Sequence, residues 1–213
     1  MMTRLVIGAL LLGVLTLAGC SESNAVKKET PTTALAVNYD ADYVDNPQLT
    51  SDRTLHKVDE EARSELGLTR IVQAVETQQV QQIGPMKVTF HNLKQLYVEP
   101  AYSMIDYFHV LTERENFDLI KTFVTIENTG NKKVHFSPIS EAFTSDQKWN
   151  WQQEVYLDNL NADYEPGDIK TGNIGFVLDE KSRPTALTIR TSDVFDATKS
   201  SIAQGQSLSL SYE

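Results

Sequence analysis

The sequence predicts an all-β protein, a β-sandwich preceded by a lipoprotein signal peptide, a flexible polar tether and a short helix. Three observations predict it. An apolar run ends in a lone cysteine near the N-terminus, a polar stretch without period follows, and beyond residue 67 short alternating segments are divided by Gly, Pro, Asn and Asp.

Residues 1–19 read as an export signal. Arg4 supplies the basic start, Leu5 to Leu17 the apolar run, and Ala18-Gly19 the small residues before a cleavage point. At ~1.5 Å per residue the run covers about 20 Å of a hydrocarbon core that needs roughly 30 Å, so a stable span is not expected. Leu17-Ala18-Gly19-Cys20 resembles the lipobox of bacterial lipoproteins, in which the thiol takes a diacylglyceryl group and becomes residue one of the mature chain. Cys20 is the only cysteine, and lipidation accounts for a lone thiol in an exported protein. Two acyl chains give lasting attachment where one does not. The expected location is therefore the extracytoplasmic face of the cell membrane. Ser21 lacks the Asp that retains lipoproteins at the inner membrane of two-membrane bacteria, and the number of host membranes stays open.

Residues 20–52 are expected to be the lipidated cysteine and a flexible tether, since Ser, Thr, Asn, Asp and Ala cannot bury enough apolar area to offset ordering entropy. Tyr39 and Tyr43 are the side chains there with a reason to dock. Residues 53–67 are expected to form a short helix, with Leu55, Val58 and Ala62 three and four apart and Gly67 as its end.

Residues 68–213 make one domain of about 145 residues, large enough to fold on its core without disulfides. Strands are expected at 69–75, 80–83, 87–98, 118–127, 133–136, 141–145, 155–159, 171–178, 186–191 and 207–212. In Lys87 to Leu93, Val88 and Phe90 face one way and Lys87, Thr89 and His91 the other, so one side is expected to be buried. In Ile120 to Glu127 apolar Ile120, Val124 and Ile126 alternate with Lys121, Thr125 and Glu127, and Phe123 breaks the rule. Asn128-Thr129-Gly130-Asn131 reads as a hairpin turn, because Asn and Gly tolerate positive φ.

Phe123 to Val134, then Tyr164-Glu165-Pro166-Gly167-Asp168, then Thr171 to Val177 resemble the immunoglobulin-like, telokin-like domain of Gram-positive surface lipoproteins. Asp106 to His109 and Thr191 to Phe195 resemble its bacillus-type branch. Each motif is turn chemistry with β-patterning, and their order and spacing carry the likeness, from about residue 79 to 213. The resemblance implies an immunoglobulin-like sandwich at the cell surface, with no catalytic residue and no cofactor.

The formal net charge is −10, and loss of Arg4 with the signal makes it −11, which repels phosphate backbones and anionic headgroups. Nucleic acid is excluded as an expected partner. His56, His91, His109 and His135 lack zinc-site spacing, though neighbouring strands could bring His91 and His135 together. Asp158 to Asp163 is rich in oxygen ligands, but Leu160 and Tyr164 break an EF-hand frame. The common hydrolase, nucleotide and metalloprotease signatures are absent, so no metal, cofactor or enzyme activity is expected.

Two aromatic groups remain as a binding surface. Trp149 and Trp151 are placed on one strand face, as a platform if exposed and as core if buried. Tyr102, Tyr107 and Phe108 sit in a segment with more aromatic surface than a connection needs. The expected function is a membrane-anchored, non-catalytic binding module serving an envelope protein or a cell-wall partner. The alternatives are a cell-wall glycan binder and a metal-binding envelope protein.

Overall fold

The strand-forming segments join into three antiparallel sheets. The computed structural model describes residues 43–156 and 158–212. The signal segment, Cys20 and the tether up to residue 42 lie outside the described residues. Strands β1 (Glu61–Ser64), β2 (Gly67–Ile83), β3 (Met86–Pro100), β4 (Phe117–Asn128) and β9 (Ile169–Val177) form a five-stranded sheet in the order β1-β2-β3-β4-β9. A second sheet has the order β13 (Ser207–Ser211), β10 (Ala186–Arg190), β6 (Glu141–Phe143), β7 (Lys148–Asn150). A third has the order β12 (Ser201–Ala203), β11 (Val194–Phe195), β5 (Val134–Phe136), β8 (Ala162–Tyr164). The all-β expectation holds. Among the described residues the only α-helix is the single turn α1 (Ile105–Phe108), and no helix is long and apolar enough to cross a membrane.

The main core lies between the large sheet and the two smaller ones. Val88, Phe90, Val124, Ile126 and Phe176 meet Trp149, Leu187 and Ile189 of the second sheet and Val134, Phe136 and Tyr164 of the third. Each such side chain contributes roughly 1.5–3 kcal/mol on burial.

The large sheet is covered on its other face as well, which corrects the expectation of one buried side. Leu96, Val98, Phe117 and Leu119 pack against Leu49, Leu55, Phe108, Val155 and Tyr156 in a second core. This coverage explains Phe123, which seemed out of phase in β4. Its ring stacks on Tyr43 at 5.5 Å between centroids, in the same buried layer as His91 at 5.8 Å.

The covering segment is residues 43–58, so residues 43–52, expected to be flexible tether, are instead docked on the sheet. Tyr43, Asn46, Leu49, Thr50 and Asp52 are all buried. A polar sequence can dock here because each polar group finds a partner: Thr50 Oγ1 donates to Gly67 O at 2.8 Å, and Asn46 Nδ2 donates to Val155 O at 3.3 Å. Composition argued for solvent; hydrogen bonding to the sheet decides otherwise.

The helix expected over 53–67 is not formed. Asp59 has φ of 69°, and the backbone of Asp59 and Glu60 bonds to Ile71 before β1 pairs with β2. Leu55 is buried while Val58 is exposed, so the three-and-four spacing never made one face. The folded body thus begins before residue 68. Gly67 makes the corner with φ of 123°, and a Cβ there would lie 2.2 Å from Glu99 O.

Three strand assignments change. Residues 69–83 belong to one long strand with two bulges, and the described residues of 155–159 form no strand, Val155 N instead bonding Gly175 O at the open edge of β9. Asn128 to Asn131 is not a hairpin: β4 pairs with β3 and β9, while β5 pairs with β8 and β11, so this turn carries the chain between sheets. Its asparagine has a different task. Asn128 is buried, its Nδ2 donates to Lys132 O (2.9 Å), Tyr164 O (3.0 Å) and Glu165 O (3.2 Å), and its backbone bonds Gly167 and Asp168. The Asn-Thr and Pro-Gly turns therefore meet at one side chain.

Candidate functional site

After β7 the chain must turn along the open edge of β9, and Asn150 makes that turn. Its side chain accepts from Gln152 N at 2.9 Å while Gln153 Oε1 accepts from Asn150 N at 3.1 Å, a capping box opening the 3-10 turn Trp151–Gln153. The two tryptophans are consequently parted. Trp149 is core, stacked on Phe176 at 5.2 Å, with Nε1 donating to Val177 O at 3.2 Å. Trp151 is 55% exposed. The expected shared face would have required the strand to continue through residue 151.

Beyond the turn, two carboxylates hold the outer edge of β9. Glu154 Oε1 accepts from Gly175 N at 2.9 Å and from Tyr156 N at 2.7 Å, and Asp158 Oδ2 accepts from Asn173 N at 2.7 Å. Edge amides that would otherwise recruit another strand are thereby satisfied. Burial raises the Glu154 carboxyl well above its ordinary range, although the two amides pull it down; Asp158 is raised too, again chiefly by burial.

These residues wall a cleft of about 410 Å³, with Trp151, Asn159 and Asn161 at the rim and Ile139, Tyr156, Leu160 and Ile174 below. Asn173 also lines it, fully buried, with Nδ2 donating to Val44 O at 2.9 Å. Its Oδ1 receives no hydrogen bond among the described residues.

Beneath the Tyr156 floor lies a charge cluster that sequence reading did not single out. Lys121 Nζ sits 5.0 Å from the Tyr156 ring centre and 4.7 Å from that of Tyr43. It donates to Asp52 at 2.9 Å and to the Tyr43 hydroxyl at 2.6 Å, while Lys94 Nζ donates to Asp52 at 3.0 Å. The Tyr43 hydroxyl also donates to Asp52. Burial alone would raise the Asp52 carboxyl, but Lys121 and Lys94 hold it well below the ordinary carboxylate range. Burial lowers Lys121 to about 8 despite Asp52. The signal was present in β4, where Lys121 and Phe123 share the face opposite Ile120 and Val124.

The other aromatic group does not form a patch. Tyr102 is 92% exposed, Tyr107 half-buried, and Phe108 buried against Phe117 at 5.1 Å and under the edge of Tyr107 at 4.9 Å. Packing against the second core, where Phe108 fills space beside Leu96 and Leu119, outcompeted display.

The histidines stay apart. His91 is buried in the large sheet with Nε2 bonded to Thr125 Oγ1 at 2.8 Å, whereas His135 is exposed in the third sheet beside Asp163 at 3.0 Å. Among the described residues no three His, Cys, Asp or Glu side chains gather to hold a metal. A wider hollow of about 740 Å³ borders His135, Phe195 and Lys199, and on it Lys133 pairs with Asp163 and Glu165 at 3.2 Å each. Asp158 to Asp163 forms no closed loop of ligands, since Asp158 is turned to β9 and Asp163 to His135 and Lys133.

The chain is 34% identical over 232 aligned residues to the uncharacterized protein YdhF of Bacillus subtilis strain 168, covering 96% of this chain and 98% of that one. A crystal structure of a functionally unknown protein from Listeria monocytogenes EGD-e superposes with a TM-score of 0.49 at 10% identity, over 68% of this chain and 87% of that one. No protein-family model matches the sequence.

Proposed function

The chain belongs to one family with YdhF of Bacillus subtilis, and from that premise we propose that it is a lipid-anchored, extracytoplasmic binding protein of the immunoglobulin-like lipoprotein type. The anchor reading rests on Leu17-Ala18-Gly19-Cys20, in which the sole thiol of the chain stands where acylation needs one. The binding reading rests on the cleft beside Trp151. Its two carboxylates are tied to β9 amides, so they serve as rigid wall, and an indole stands exposed above them. A preformed hollow with a few fixed polar groups and an aromatic rim is the usual form of a ligand site.

The acidic balance of the mature chain favours partners that are not phosphate-rich.

Metabolic labelling with an alkyne palmitate analogue tests the reading. The full chain should carry label in the membrane fraction of its host, and Cys20→Ala should carry none. Unlabelled native protein in the cytosol with residues 1–19 still attached would overturn it.

A further inference from the structure

We propose that the cleft beside Trp151 binds a neutral glycan, stacking one sugar ring on the indole and hydrogen-bonding its hydroxyls to the planar polar side chains around it. This rests on the binding reading above and names the ligand class of that site.

Three observations carry it. First, the capping box at Asn150 turns one of only two indoles in the chain out of the core and leaves it 55% exposed at the mouth of a hollow. A flat aromatic face matches the C–H face of a pyranose ring, because both are apolar plates with polar edges. Second, the rim and wall are amides and carboxyls: Gln152, Asp158, Asn159, Asn161 and Asn173. Such groups accept and donate in one plane, as paired ring hydroxyls require. Asn173 backs this wall from within, its Oδ1 fully buried and without a donor among the described residues.

Third, charge separates a neutral ligand from a charged one. Among the described residues no lysine or arginine lines the cleft, so phosphate, sulfate and polyanionic wall polymers are disfavoured. A bare cation is disfavoured from below, where two lysines face one carboxylate, Asp52, under the Tyr156 floor. Glu154 and Asp158 each already have an oxygen bonded to β9. The volume of about 410 Å³ falls in the range of small-ligand sites.

The two tryptophans make the test direct. Trp149 is buried and serves as an internal reference, so a ligand-dependent change in emission reports Trp151. The purified full chain, in a detergent without a sugar headgroup, is titrated with chito-oligosaccharides and cello-oligosaccharides, and in parallel with calcium chloride, a primary amine and inorganic phosphate. A neutral oligosaccharide should give a saturable change with a Kd of about 1 mM or below. Calorimetry on Trp151→Ala and Asn161→Ala should then show affinity reduced by roughly tenfold or more, with unfolding midpoints unchanged. The proposal is overturned if no neutral oligosaccharide saturates, if only calcium, amine or phosphate binds, or if both variants bind as the parent does. Palmitate labelling is independent of the cleft: a labelled chain that binds no oligosaccharide removes the glycan and leaves the anchored protein, and an unlabelled chain that binds one does the reverse.

Discussion

Lys94 and Lys121 stand opposite each other on β3 and β4, and one carboxylate, that of Asp52, lies against both at 3.0 and 2.9 Å. All three are buried, and Asp52 comes from the segment preceding the first strand. The contact therefore decides whether residues 43–58 stay on the sheet. Breaking a buried ion pair by removing one partner costs about 3–5 kcal/mol, because the charge left behind has no solvent. Asp52→Asn should lose at least about 3 kcal/mol in urea unfolding and open residues 43–58 to limited proteolysis. A loss below about 1 kcal/mol would show that the cluster is solvated. Since the Asp52 carboxyl is held well below its ordinary 3.8 in the fold, its contribution is present above that value and disappears as pH falls beneath it. The variant should lack that acid limb.

Lys121→Met should be milder, since it leaves Asp52 and Lys94 as a one-to-one pair and fills the space with an apolar chain of similar length. A cost under about 2 kcal/mol is expected, against the larger cost of Asp52→Asn. The parent should also gain stability as pH rises from about 8 toward 10.5, because Lys121 releases its proton in the fold before it does in the unfolded chain. Tyr43 and Tyr156, both raised above 10 chiefly by burial, act in the opposite sense only at the top of that window. Chemical denaturation at pH 7.5, 8.5 and 9.5 checks this, and the upward trend should vanish in Lys121→Met.

Alternation read the long strands correctly where one face carried the pattern, as in Val88-Phe90 and Val124-Ile126. It could not read the second buried face. Lys94, Lys121 and His91 look like solvent positions to any pattern rule, and only a distant polar segment bearing Asp52 and Tyr43 makes them core. The cleft was half legible. Trp151 was named, but its separation from Trp149 depends on a cap three residues long, and Glu154 acts through edge amides that exist only once β9 is last in its sheet.

Asn128 is the joint between two crossings of the sandwich. Alanine there deprives Lys132, Tyr164 and Glu165 carbonyls of their shared donor and leaves Gly130 N without its acceptor. Unfilled buried acceptors cost about 1–3 kcal/mol, so Asn128→Ala should lower stability by about 2–3 kcal/mol in thermal or urea unfolding. A change below about 0.5 kcal/mol would mean that the two turns hold without it.

Glu154→Gln separates the charge of the cleft wall from its geometry. The amide oxygen of glutamine can still accept from Gly175 N and Tyr156 N, which the carboxylate now does at 2.9 and 2.7 Å. What disappears is a negative charge that burial, aided by Asp158, makes unfavourable: the Glu154 carboxyl is raised well above its ordinary 4.5. A group whose value is raised in the fold contributes its stability below the ordinary value, and that contribution fades as pH climbs through the folded one. The parent and the variant should therefore unfold at the same midpoint at pH 4, and the variant should be the more stable at pH 7.5. Differential scanning calorimetry at both pH values decides it. If glutamine instead weakens the protein at pH 7.5, the amides of Gly175 and Tyr156 require a full carboxylate, and the wall of the cleft is built on charge.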